Sequence, residues 1–128
     1  MAGKKAMEKP EWLDPLFAAI DATDTERFIS YLADDCLFRF GSGPEILGRD
    51  KIKEAVTQFF ATISGLKHDI HMVWVDDENV IVKGEVVYTR KDGSNVQLPF
   101  MNLLAKAGED KIKEYHIYAD IGPLYRKE

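Results

Sequence analysis

The chain has 128 residues, enough for one domain with a real core. Hydrophobic residues make up 45% and charged residues 30%, a balance that excludes a disordered chain. Asp and Glu outnumber Lys and Arg by 22 to 17, and the net charge of −5 disfavours nucleic acid and anionic membrane surfaces as partners.

The lone Cys36 has no partner for an internal disulfide, which fits a reducing compartment. No stretch approaches the ~20 apolar residues of a membrane span, and the polar N-terminus lacks the apolar core of a signal peptide. The expectation is a cytoplasmic domain over residues 10–126 after a flexible segment 1–9.

Trp12, Leu13, Leu16, Phe17 and Ile20 recur at helical spacing. Pro15 either begins that helix, with Asp14 as its cap, or kinks a longer one. Thr23-Asp24-Thr25-Glu26 reads as a capping box for a second helix, with Phe28, Ile29 and Leu32 on one side and an end at Asp34 and Asp35. Cys36–Phe40 reads as a short strand with Cys36, Phe38 and Phe40 turned inward and Arg39 outward. A third helix is expected from about Asp50, with Ile52, Val56, Phe59, Phe60 and Ile63 buried and Gly65 as its stop.

From His68 onward the period becomes that of strands: His68–Val75, Val80–Arg90, Asn95–Lys106 and Lys111–Asp120. Short turns, including Ala107-Gly108-Glu109-Asp110, join them as antiparallel neighbours. Helices first and a long meander after predict an α+β domain with helices on one face of a curved sheet.

Particular words sharpen this. They include Leu32-Ala33-Asp34-Asp35-Cys36-Leu37-Phe38-Arg39-Phe40, Leu47-Gly48-Arg49-Asp50 opening a helix, and Leu98-Pro99-Phe100-Met101-Asn102. Gly84-Glu85-Val86-Val87-Tyr88 and Glu114-Tyr115-His116-Ile117-Tyr118-Ala119-Asp120 belong to the same set. Together, from about Trp12 to Tyr125, they resemble the SnoaL-like branch of the nuclear transport factor 2-like superfamily. The resemblance implies a cone: a curved antiparallel sheet, N-terminal helices on its concave face, and a pocket between them. It also implies pairing as a homodimer through the outer face of the sheet. Enzymes of this group include ketosteroid isomerases, polyketide cyclases and limonene-epoxide hydrolases.

Carried over residue by residue, the isomerase-type base position falls on Phe40. The hydrolase-type Tyr and Asn fall on Phe38 and Phe40, and the acid of the last strand on Ile117. These carboxylate and polar positions are therefore apolar here. The hydrolase Arg-x-Asp pair falls on Lys83 and Glu85, and the isomerase's second acid near Phe100 or Asn102. Burial is what fits a carboxyl group for such chemistry, since it raises the pKa toward the working pH.

Three residues are candidates for catalysis. Alternation puts Glu85 on the wetter face of its strand, whereas the resemblance turns it to the pocket as a general base. Asn102 shares a face with Val96, Leu98, Phe100 and Leu104, so it makes either a structural hydrogen bond or a ligand contact. Asp120 is either a turn carboxylate or, with a bulge, a pocket acid. Phe38, Phe40, Trp74, Tyr88, Phe100, Tyr115 and Ile117 are candidate ligand-binding residues. His68 and His71, three apart on a strand, face opposite ways, so no metal site and no cofactor are expected. The expected partner is a hydrophobic small molecule bearing a carbonyl or hydroxyl. The rival expectation is a non-catalytic dimeric binding or assembly module.

Overall fold

The computed structural model describes residues 9–106 and 111–126. The expected flexible N-terminus, apart from Lys9, and the turn 107–110 lie outside these. Helix α1 spans Leu13–Asp21 and buries Leu13, Leu16 and Phe17. Pro15 stands in its first turn, where a missing N–H breaks no helical hydrogen bond. Asp14 is therefore inside the helix, and Trp12 holds the cap position.

Thr23, at φ 53°, ends α1 in a left-handed turn. Asp24 N–H donates to Ala19 O and Thr23 N–H to Ile20 O, the paired bonds of a Schellman motif. Helix α2 spans Thr25–Ile29, and its cap is Asp24, whose side chain accepts from Arg27 N–H. The capping box expected from Thr23 is thus displaced by one residue, because Thr23 is committed to closing α1.

Strand β1 is Leu32–Phe40, so Asp34 and Asp35 lie in a strand rather than at a helix end. Its alternation buries Cys36 and Phe38 and packs Phe40 against the core. Strand β2 is the pair Ile46–Leu47, and α3 spans Arg49–Phe60 with Ile52 and Val56 buried. Four strands follow: β3 Gly65–Asp76, β4 Asn79–Thr89, β5 Asn95–Ala105 and β6 Ile112–Tyr118. Gly65 opens β3 rather than ending α3. A single turn, α4 Gly122–Tyr125, ends the described chain.

The six strands of the described residues form one curved, unclosed sheet in the order β2-β1-β6-β5-β4-β3. The run β3 to β6 is an antiparallel meander. Strand β1 joins the far side of β6 in parallel, with Phe38 opposite Tyr115 and Phe40 opposite Ile117. The helices cover the concave face: Phe17 of α1 stacks on Phe100 and Phe28 of α2 meets Tyr115 edge to face. No helix among the described residues is long and apolar enough to cross a membrane.

One irregularity decides which side chains reach the concave side. Strands β3 and β4 pair Ile70 with Gly84 and then Met72 with Lys83, so the register shifts at His71. Side chains alternate along a strand, and one extra residue reverses the parity beyond it. His68, opposite Val86, is inward, and past the bulge Val73, opposite Val82, is inward again. Trp74, opposite Ile81, is carried to the outer face. Gly84 makes the bulge feasible: a Cβ there would stand 2.1 Å from Asp69 O.

Candidate functional site

Between sheet and helices lies a half-open cavity of about 150 Å³. Its wall is mostly hydrocarbon. Phe28, Phe38, Phe40, Phe59, Phe60 and Phe100 supply rings, and Ile20, Ile46, Val86 and Ile117 fill between them. Ring contacts join these into one wall, with Phe40 against Phe59 at 5.0 Å and Phe59 against Tyr88 at 5.9 Å between centroids. Aromatic rings in such edge-to-face contacts are stiff walls rather than fluid filler.

The polar members of the lining are His68, Asn102, Tyr88 and Tyr115. His68 sits on the inward face of β3 and has its Nδ1 2.6 Å from Asp21 Oδ1. The other oxygen of Asp21 accepts from the His68 backbone N–H at 3.0 Å. Asp21 lies in the last turn of α1, where the helix dipole disfavours a carboxylate. The two donors of His68 hold it there, and the pair ties α1 to β3. A carboxylate only accepts hydrogen bonds, so Nδ1 carries the proton between them. The ring meets Phe17 at 4.9 Å and Phe100 at 5.1 Å, both edge to face, which fixes its plane. Among the described residues no hydrogen bond reaches Nε2, and His68 borders the cavity.

Asn102 is only 3% exposed, and its Oδ1 has no hydrogen-bond partner among the described residues. Val82 and Ile117 flank it across the sheet. A buried amide oxygen left unpaired costs roughly 1–3 kcal/mol. Tyr88 and Tyr115 are buried, and no hydrogen bond to a described residue reaches either hydroxyl. Burial, reinforced by Tyr125 and Asp21, pushes the Tyr88 phenol up. Burial, with Cys36, Tyr88 and Asp21 adding to it, does the same for Tyr115. Both phenols stay neutral and able to donate at any physiological pH. Burial, then Asp35 and Glu114, pushes the Cys36 thiol up to about 12, so it is a core group and not a nucleophile.

The residues singled out from sequence divide cleanly. Phe38, Phe40, Tyr88, Phe100, Asn102, Tyr115 and Ile117 all border the cavity. Trp74, Glu85 and Asp120 do not. Trp74 is turned outward by the bulge. Glu85 pairs with Pro99 on the outer face, and its carboxylate accepts from Gln97 Nε2. The alternation of β4 governs there, because no bulge interrupts β4 against β5. Asp120 is exposed, and its Oδ1 accepts from Gly122 N–H at 2.9 Å, a turn contact two residues on. Among the described residues no carboxylate borders the cavity. Among the described residues no three His, Cys, Asp or Glu side chains gather as a metal site.

Sequence reasoning weighed His68 only as a metal ligand and passed over Asp21. The available signal was weak: a helix ending on Asp21 and a strand beginning near His68, with parity putting His68 inward.

A bent antiparallel sheet, extended by a parallel first strand and backed by helices around an aromatic hollow, is the nuclear transport factor 2-like cone. Within that class the chain belongs to the SnoaL-like domain family, whose model matches residues 14–115. No curated protein matches the chain. Among solved structures, a Catenulispora acidiphila protein with a ketosteroid isomerase-like fold, in complex with trimethylamine, is similar at 19% identity. It has a TM-score of 0.78 over 87% of this chain and 86% of that one. TerC, co-crystallised with polyporic acid, is 19% identical with a TM-score of 0.77, covering 90% and 93%. An LEH-like epoxide hydrolase of M. tuberculosis is 16% identical with a TM-score of 0.72, covering 85% and 80%. At these identities the likeness is one of fold.

Proposed function

We propose that this protein binds a small hydrophobic molecule bearing a carbonyl or hydroxyl and moves a proton on it without a cofactor. The observation that carries this is His68. It is a ring held by Asp21 at 2.6 Å, with no partner on its other nitrogen among the described residues, beside a mostly apolar cavity. In this reading Nε2 is the general base and Asp21 a positioning residue that fixes the tautomer. The neutral phenols of Tyr88 and Tyr115 donate to the substrate oxygen as charge develops on it. His68 thus takes the part first expected of Glu85.

The test is deuterium exchange at the carbons beside the carbonyl of cyclohexanone, followed by proton NMR in D2O. The parent protein should accelerate exchange over buffer. His68→Gln should lower that acceleration by about 10²–10⁴, the usual worth of a positioned base. A parent rate equal to buffer, or an undiminished rate in the variant, refutes the reading.

We also propose that the outer sheet face pairs with a second copy. Met101 and Tyr118 are 41% and 59% exposed there, and by register Met72, Trp74, Ile81 and Leu103 share that face. Such a run of apolar side chains is the usual mark of an interface. Sedimentation at tens of micromolar should give twice the 14.6 kDa chain mass. Met101→Lys should shift it to monomer, and a monomeric parent refutes the pairing.

A further inference from the structure

The cavity limits the size of what it holds. An apolar hollow of about 150 Å³ takes a benzene-sized guest, which is one ring. Its walls are aromatic rings in mutual contact, and close-packed rings yield little to an oversized guest. No Asp, Glu, Lys or Arg borders the space among the described residues, so nothing there compensates a charged guest.

One wall residue stands apart by its contacts. Phe59, half-buried in the last turn of α3, meets three other rings of the lining. They are Phe40 of β1 at 5.0 Å, Tyr88 of β4 at 5.9 Å and Phe60 at 6.1 Å. Strands β6 and β5 lie between β1 and β4 in the sheet. Three strand spacings would put β1 and β4 roughly 14 Å apart in a flat sheet. A single ring touching both shows that the concave face narrows there, and Phe59 fills the narrowing. The ring lies across the hollow as a crossbeam. A fused second ring on a guest has to take the place that Phe59 holds.

We propose that the substrate is a compound of one ring bearing the carbonyl or hydroxyl, and that Phe59 is the specificity-determining residue that excludes a second ring. This rests on the functional reading above and names the substrate class of the same site. Phe59→Ala removes one phenyl ring, the same unit the guest would add. The surrounding structure relaxes only partly around such a deletion, so room for the second ring remains.

Titration calorimetry at pH 7 with phenol, cyclohexanone and 2-naphthol, all uncharged there, tests this. Burial of apolar surface alone would make 2-naphthol the tightest of the three. The parent should instead bind it at least about tenfold more weakly than phenol, the consequence of overfilling a packed site. Phe59→Ala should reverse the order by at least about tenfold, and the milder Phe59→Leu should move the ratio in the same direction. Val80→Ala trims a buried β4 side chain that does not border the cavity, and should keep the parent's ratio. Binding of 2-naphthol to the parent as tight as that of phenol overturns the one-ring limit and leaves the small-molecule reading standing. A ratio unmoved in both Phe59 variants, or moved as far by Val80→Ala, overturns the assignment of Phe59. Failure of all three probes to bind the parent at millimolar concentration overturns the proposal and removes the small-molecule reading with it.

Discussion

Asn102→Leu separates a side chain kept for a ligand from one kept for the fold. Oδ1 is buried without a partner among the described residues, on a face shared with Leu98, Phe100 and Leu104. Leu is close to Asn in size, so the swap leaves neither a large cavity nor a severe clash. Removing the unpaired acceptor recovers about 1–3 kcal/mol. With a slope of roughly 1–3 kcal/mol per molar urea, the unfolding midpoint should rise by about 1 M. The slope itself should not change, since the same surface is buried. The assay is equilibrium urea unfolding of dialysed protein, parent against variant. A midpoint that falls or stays put means the amide is satisfied within the fold, and the case for a ligand contact at Asn102 is lost.

Gly84→Ala should destabilise by at least about 1–3 kcal/mol in the same assay, because the added Cβ meets backbone at 2.1 Å and the bulge must open. A neutral result there refutes the account of the bulge. Cys36 is pushed up to about 12 in the fold from an ordinary 9.0, so its contribution to stability is complete below pH 9 and is lost as pH rises toward 12. Urea midpoints should fall through that window, and Cys36→Ala should lessen the slope by one proton, about 1.4 kcal/mol per pH unit. An unchanged slope in the variant contradicts the thiol's burial. Arg90 donates to Leu124 O, Pro123 O and Ser94 Oγ. Arg90→Ala should speed amide exchange in α4 by at least tenfold with little change in β4 and β5, and equal rates in α4 mean the turn holds without it.

Most of the fold was legible because it rests on local rules. The alternation of β4 and β5 and the spacing in α1 and α3 each put one face inside, and the words around them pointed to the cone. The errors came where two local rules competed for one residue. Thr23 was free, by pattern, to cap α2, yet it was already closing α1. Trp74 followed the parity of His68 until the bulge at His71 reversed it, and a bulge opposite a glycine leaves little trace in a single sequence. Asn102 stood out as one amide among apolar neighbours, and it borders the cavity. Glu85 stood out for its charge, but its position in an uninterrupted strand turns it outward. The pairing of Asp21 with His68 joins positions far apart in the chain, through the packing of α1 on β3, which no local pattern reports.

The parallel pairing of β1 with β6 has a consequence for how the molecule comes into being. Residue 32 waits for residue 112 and Phe38 for Tyr115. During synthesis the first third of the chain therefore emerges with its strand unmatched, and the hollow has no far wall until β6 leaves the ribosome. Contacts of such long sequence separation slow folding and lengthen exposure to wrong partners. Losing the last strand would strip β1 of its long neighbour β6, so a shortened chain should fail as a whole rather than lose one edge.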